Sequence, residues 1–266
     1  MSLLIDTSFQ STYNNLKRAL PHASLLHGAR GVGLFTIAKS LVPKGYELII
    51  ITPSQKTKTA LTSIGIERIR DLYEEVKSSA QQLVVIDDAD KMTSSAQNAL
   101  LKLLEEPNQY TSFVLTSHFP EQLLSTIRSR TQTILVPSVA GDAIAGLIES
   151  SPGLATAKRQ QVKFLSSGLP AELSRLLADD EYFNVRSSQM QLAKKILEAK
   201  PHDAISLLIK LKLDRTQAVK VIEDTITLLK RTPTETGLKR ILSLLQAYDA
   251  IVYGGNPRLH LIKAML

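Results

Sequence analysis

The 266-residue sequence has no cysteine. That excludes disulfides and thiolate-held zinc, and it fits a reducing compartment. The five histidines are scattered, so a histidine-based metal site is not expected. No stretch approaches the roughly 20 successive apolar residues that span a bilayer. The first ten residues, MSLLIDTSFQ, lack the basic start and small-residue cleavage site of a secretory signal. These absences predict a cytoplasmic protein with no membrane association, no metal and no cofactor.

What is present is an apolar content of 44%, ample for buried cores. The length suggests two or three domains. A net charge of +7 favours a polyanion such as nucleic acid, or an acidic partner surface. The basic residues are dispersed, with only short pairs such as Lys194-Lys195 and Lys230-Arg231. Charge alone is therefore equally compatible with an ordinary basic protein.

Along the chain, 8–20 reads as a helix, with Phe9, Leu16 and Leu20 on one side and Pro21 at its end. Short apolar runs at 24–26, 47–51, 82–86, 112–117 and 133–136 read as strands. The third of these does not alternate, as expected of a strand covered on both faces. Helical patterns lie between the strands. One ends near Leu41. The next carries Ile66, Ile69, Leu72 and Val76, and 52–63 before it reads as loop. Another covers 93–106, with a stripe of Ala96, Ala99, Leu100, Leu103 and Leu104 and Pro107 as its stop. A short one covers 120–128. Strands alternating with helices predict an α/β fold with a mostly parallel five-stranded sheet.

Beyond Pro137 strand character disappears. Residues 140–178 hold three short helical patterns, broken at Ser151-Pro152-Gly153 and Gly168-Leu169-Pro170. Polar residues at 179–187 suggest a linker, and from Ser188 onward a bundle of about five helices is expected. Two of its stripes are Val219, Ile222, Ile226, Leu229 and Leu238, Ile241, Leu245, Tyr248, Val252. Asn256-Pro257 opens the last helix. The predicted division is 1–138, 139–182 and 183–266.

Chemistry concentrates in a few stretches. Residues 28–35, GARGVGLF, lie between a strand and a helix and have the glycine framing of a phosphate-binding loop. Such a loop needs a lysine for the β- and γ-phosphates and a hydroxyl for Mg²⁺. Leu34 and Phe35 stand there instead, beside Gly28, Gly31 and Gly33. The strand at 82–86 ends in Asp87, Asp88 and Asp90, acids that in an NTPase hold Mg²⁺ and activate water. Acids at a strand end also cap helices or pair with bases. Thr116-Ser117 closes the next strand, where a hydroxyl can reach a γ-phosphate or be an ordinary strand-end group. Arg128-Ser129-Arg130-Thr131 offers two arginines. An exposed arginine at a subunit boundary can neutralise transition-state charge on a neighbour's triphosphate.

Together these stretches resemble the AAA+ clamp-loader family of bacterial DNA polymerase III, which extends to the eukaryotic replication factor C subunits. The likeness rests on VVIDDADKMTSSAQNALLKLLEEP at 84–107, which is similar to a Walker B strand and the helix after it. It rests also on FVLTSHFPEQLLSTIRSRT at 113–131, similar to the sensor-1 strand and Ser-Arg-Cys motif, and on Asn256-Pro-Arg-Leu259. The resemblance implies an AAA+ module of RecA-like type, a helical lid and a helical collar for oligomerisation. It implies gamma/tau motor and delta subunits as partners, with the sliding clamp and primer–template DNA as the assembly's targets. It makes Arg130, with Ser129 beside it, a finger offered in trans, and Lys102 a DNA contact. It implies no nucleotide on the degenerate loop, with Asp87 and Asp88 vestigial. The family's lid arginine is missing, since Ala171 and Glu172 lie about where it belongs. The motif's cysteine is Thr131, and the family's four-cysteine zinc module is lacking.

The expectation is a non-catalytic clamp-loader subunit that does not hydrolyse ATP by itself. The alternatives are an ATP-binding motor subunit with an atypical loop, the delta subunit of the same assembly, and a fold-derived DNA-binding adaptor. Nucleotide binding by the isolated chain separates the motor reading from the first. Loss of assembly ATPase on removal of Arg130 separates the adaptor.

Overall fold

A computed structural model describes residues 4–54, 62–77, 79–106, 108–149, 154–211, 213–231, 234–252 and 254–265. The chain divides into two compact units, Met1–Ser174 and Arg175–Leu266. The first unit opens with α1 (Thr7–Arg18), whose first turn is capped by the Asp6 carboxylate accepting from Ser8 N–H at 2.9 Å. Then follow β1 (Ala23–His27), α2 (Leu34–Ser40), β2 (Glu47–Ile51), α3 (Ile66–Glu75) and β3 (Gln82–Ile86). A 3₁₀ turn at Ala89–Lys91 leads to α4 (Ser94–Glu105), where Thr93 Oγ1 accepts from Ala96 N–H at 3.2 Å. After β4 (Thr111–Ser117) come a 3₁₀ turn at Pro120–Gln122, α5 (Ser125–Arg130) and β5 (Gln132–Leu135). Three helices follow: α6 (Gly141–Glu149), α7 (Thr156–Ser166) and α8 (Pro170–Ala178), the last crossing the boundary between the units.

The five strands form one parallel sheet in the order β2-β3-β4-β1-β5. Side-chain alternation splits its core in two. Val84, Ile86, Phe113 and Leu115 face α3 and α4, with Ile69, Leu72, Leu100 and Leu103 opposite them. Leu83, Val85, Val114 and Ile134 face the other way, toward α1 and α2, with Phe9, Leu16, Leu34 and Ile37. Burying both faces is why β3 reads as an unbroken apolar run.

The second unit is helical: α9 (Asp180–Glu198), α10 (Pro201–Leu211), α11 (Arg215–Arg231), α12 (Glu235–Val252) and α13 (Pro257–Met265). Ile196, Leu208, Ile222, Leu244, Ile251 and Leu261 make its core. Arg186 and Asp224 form a buried two-pronged ion pair between α9 and α11, both contacts 2.6 Å. Asn256 accepts from Arg258 and Leu259 N–H groups and caps α13, with Pro257 at its first position.

Most expected elements are present within a residue or two. Three differences have physical causes. The polar stretch 179–187 is no linker: Asp179 accepts from Tyr182 N–H at 2.8 Å and starts α9, which then buries Phe183 and Arg186. The helix expected at 120–128 is a 3₁₀ turn followed by α5, so Arg128, Ser129 and Arg130 are helical. On α12 the residues turned inward are Gly237, Leu244, Ala247 and Ile251, whereas Leu238 and Leu245 of the expected stripe are exposed. Pro107 and Ser151-Pro152-Gly153 lie outside the described residues.

Candidate functional site

The sheet order places the C-terminal ends of β3, β4 and β1 side by side, the usual position of a ligand crevice in an open α/β sheet. The glycine loop leaves β1 there. A Cβ on Gly28 would come within 2.5 Å of the Val136 carbonyl oxygen, so only glycine fits between the loop and the strand exit. Gly31 and Gly33 adopt φ of 87° and 95°, in the left-handed region that glycine reaches without strain. Their conformation delivers the chain into α2 with Leu34 3% exposed. Leu34 joins the core beneath α1 and α2, and the half-buried Phe35 packs against the same cluster. Lys39 lies 5.2 Å from the Phe35 ring centroid.

The acids at the end of β3 are bonded within the chain. Thr116 Oγ1 donates to Asp87 Oδ1 at 2.7 Å and accepts from Asp88 N–H at 3.0 Å. Asp88, at φ 47°, pairs with Lys91 Nζ at 2.5 Å. The His118 backbone N–H donates to Asp90 Oδ1 at 3.0 Å. The His118 ring bridges two elements: Nδ1 lies 2.8 Å from the Gly28 carbonyl and Nε2 3.5 Å from Asp88 Oδ1. A carbonyl only accepts, so Nδ1 carries the proton. Burial pushes the Asp87 carboxyl above its ordinary range; the Thr116 hydroxyl opposes this, Asp88 adds to it, and His118 opposes it.

This arrangement does not fit a magnesium-bound triphosphate. The cation and hydroxyl positions hold hydrocarbon side chains, Leu34 in the core and Phe35 half-buried against it. Asp88 already has an ammonium partner, and desolvation disfavours charge on Asp87. Among the described residues no group of three or more His, Cys, Asp or Glu could hold a metal ion.

The loop also meets the start of α8. Ala171 N–H donates to the Gly31 carbonyl at 2.9 Å, and Glu172 N–H points to the same oxygen at 3.4 Å. These are the residues expected near the missing lid arginine.

Arg130 and Ser129 lie elsewhere. α5 runs back toward the start of β5, so its last turn stands at the N-terminal ends of the strands, opposite the loop. A five-residue strand separates the two ends by roughly 16 Å. Arg130 pairs with Glu105 of α4 at 2.7 Å, and its other guanidinium nitrogen donates to the Thr126 carbonyl at 3.1 Å. Ser129 Oγ donates to the same carbonyl at 3.1 Å. Arg128 is exposed, and its carbonyl accepts from the Thr131 hydroxyl at 3.3 Å. Thr131, where the motif has cysteine, is buried and donates to the Ile127 carbonyl at 3.1 Å. Lys102 is exposed on the last turn of α4, three residues before Glu105.

The structure thus unites the loop with Asp87, Asp88 and Asp90, and separates both from Arg130, Ser129 and Lys102. Sequence reasoning missed His118, Lys91 and Glu105. None has a pattern of its own: Lys91 meets Asp88 across one 3₁₀ turn, while His118 and Glu105 reach their partners only because elements distant in sequence meet.

The parallel sheet in this order carries the glycine loop after β1 and the acids after β3 at one edge, with helices after it, an α/β layout shared with known nucleotide-binding modules. Residues 42–140 match the family described as DNA polymerase III, delta subunit. The chain is similar to DNA polymerase III subunit delta' of Bacillus subtilis, 36% identical over 147 residues, which cover 53% of this chain and 43% of that one. It is also similar to subunit delta' of Pseudomonas aeruginosa, 29% identical over 186 residues, 58% of this chain and 55% of that one. The matches therefore span about half the length of these relatives. A crystal structure of a DNA polymerase III gamma-subunit-related protein from Thermotoga maritima shares the fold, with TM-score 0.59 and 17% identity over 97% of each chain.

Proposed function

We propose that this chain is a delta'-like subunit of a clamp loader, which assists in placing a sliding clamp on primer–template DNA without binding or hydrolysing ATP itself. The observation that carries this is that Leu34, buried in the core, and Phe35, half-buried against it, occupy the two positions where a nucleotide needs a cation and a magnesium-binding hydroxyl. In this reading 1–138 is the AAA+ module, 139–182 the lid and 183–266 a collar that packs with motor and delta subunits. Arg130 completes the ATP site of an adjacent motor subunit, and Ser129 sits beside it. Its position at the sheet end opposite its own loop supports action on a neighbour. Lys102 contacts DNA phosphates.

The test is reconstitution with gamma/tau and delta subunits. Arg130→Ala should leave assembly intact and slow hydrolysis at the site it completes by about 10³-fold or more. Arg130→Lys should not restore it, because an ammonium lacks the planar fork of donors. An unchanged single-site rate in either variant removes the finger assignment.

A further inference from the structure

We infer that the first turn of α8 is a built-in plug on the glycine loop, an autoinhibitory contact that would keep the cradle shut even if its lysine and hydroxyl were restored. This rests on the proposed reading of the module as one that does not bind ATP. First-turn N–H groups of a helix have no intrahelical partner and usually face water. Here Ala171 and Glu172 direct theirs to the Gly31 carbonyl, at 2.9 and 3.4 Å. Side chains cover the same point: a Cβ on Gly31 would stand 3.3 Å from the Cβ atoms of both Leu169 and Glu172. The plug is anchored, since Leu169 packs on the core beneath α2 and Val139 N–H donates to the Gly168 carbonyl at 3.0 Å.

The other end of the loop is held too. His118 Nδ1 takes the Gly28 carbonyl, and Val32 N–H spends itself on the Ala29 carbonyl at 3.2 Å. A phosphate is an acceptor and needs N–H groups aimed at it. This loop has one N–H turned inward and two of its carbonyls held by donors from α8 and His118. Seating a triphosphate requires α8 to leave Gly31 first, so apparent affinity scales with the small fraction of chains in which it has left.

The 266-residue chain provides a direct test. Amide hydrogen exchange at Ala171 should be slowed ~100-fold or more relative to an unprotected amide, although it lies in a first turn. Unprotected exchange there overturns the plug. Binding of a fluorescent ATP analogue with Mg²⁺ is then compared in wild type, Leu34→Lys/Phe35→Thr, and that pair combined with Ala171→Pro. Proline is tolerated in a first turn and removes the donor. The triple variant should bind about tenfold or more tighter than the double. A folded triple variant that binds no better than the double overturns the plug and leaves the proposed function standing. Saturable binding by wild type overturns the proposed function itself.

Discussion

Gln97, 5% exposed, interrupts the apolar stripe of α4 and holds three backbone groups together. Its Nε2 donates to the carbonyls of Met92 and Gln122, both at 3.3 Å, and its Oε1 accepts from Leu124 N–H at 2.8 Å. Gln97→Leu keeps the volume and strands all three. It should cost about 2–3 kcal/mol or more in denaturant unfolding, well above a surface substitution. Asp87 makes a pH prediction. Its folded pKa is raised by burial, so between the ordinary carboxylate range and that raised value the folded chain binds more protons than the unfolded chain. Stability therefore falls as pH rises through that window. Asp87→Asn cancels the charge and keeps an acceptor for Thr116. Its thermal midpoint should exceed wild type at neutral pH, and the gap should close in acid. His22 acts in the opposite direction: burial lowers its pKa, so stability is lost as pH falls below the ordinary histidine range. Comparing variant with wild type at each pH isolates Asp87.

Helix α12 is apolar on two sides. Leu244 is 1% exposed and Leu242, two residues away, is 62% exposed, with Leu238 and Leu245 in the same outer stripe. Leu244→Ala should cost about 2–5 kcal/mol, the price of a cavity in a packed core. Leu242→Ser should stay within about 0.5 kcal/mol in the isolated chain. On the proposed collar reading it should weaken co-elution with the motor and delta subunits, and undiminished assembly would count against that role for the stripe. Periodicity announced this helix because both stripes repeat at helical spacing, but it could not say which faced inward. The start of α9 was hidden for a related reason. Its polar residues look like linker until Asp179 is seen to cap them and Arg186 to find Asp224.

For the whole molecule, ATP with Mg²⁺ should leave the thermal midpoint of the isolated chain unmoved. A ligand at a hundred times its dissociation constant would add about 2.7 kcal/mol. For a chain of this size that is a shift of several degrees, readily measured. The separation of the loop from Arg130 belongs to this scale too. The two lie at opposite ends of one sheet, and on the proposed reading Arg130 therefore serves a nucleotide other than one at its own loop.

Strand and helix order, the parallel sheet and the missing lysine and hydroxyl were all legible in the sequence. Each depends on residue type at short spacing, where backbone geometry and side-chain chemistry act locally. Arg130 was found by motif, but Glu105 as its partner was not. Nor were Lys91 and His118 on Asp88, or Ala171 on Gly31. Lys91 is only three residues from Asp88 and reaches it because a left-handed Asp88 opens the 3₁₀ turn. The other pairings join residues far apart along the chain, and only the closing of the sheet and the packing of helices on it bring a particular donor to a particular acceptor.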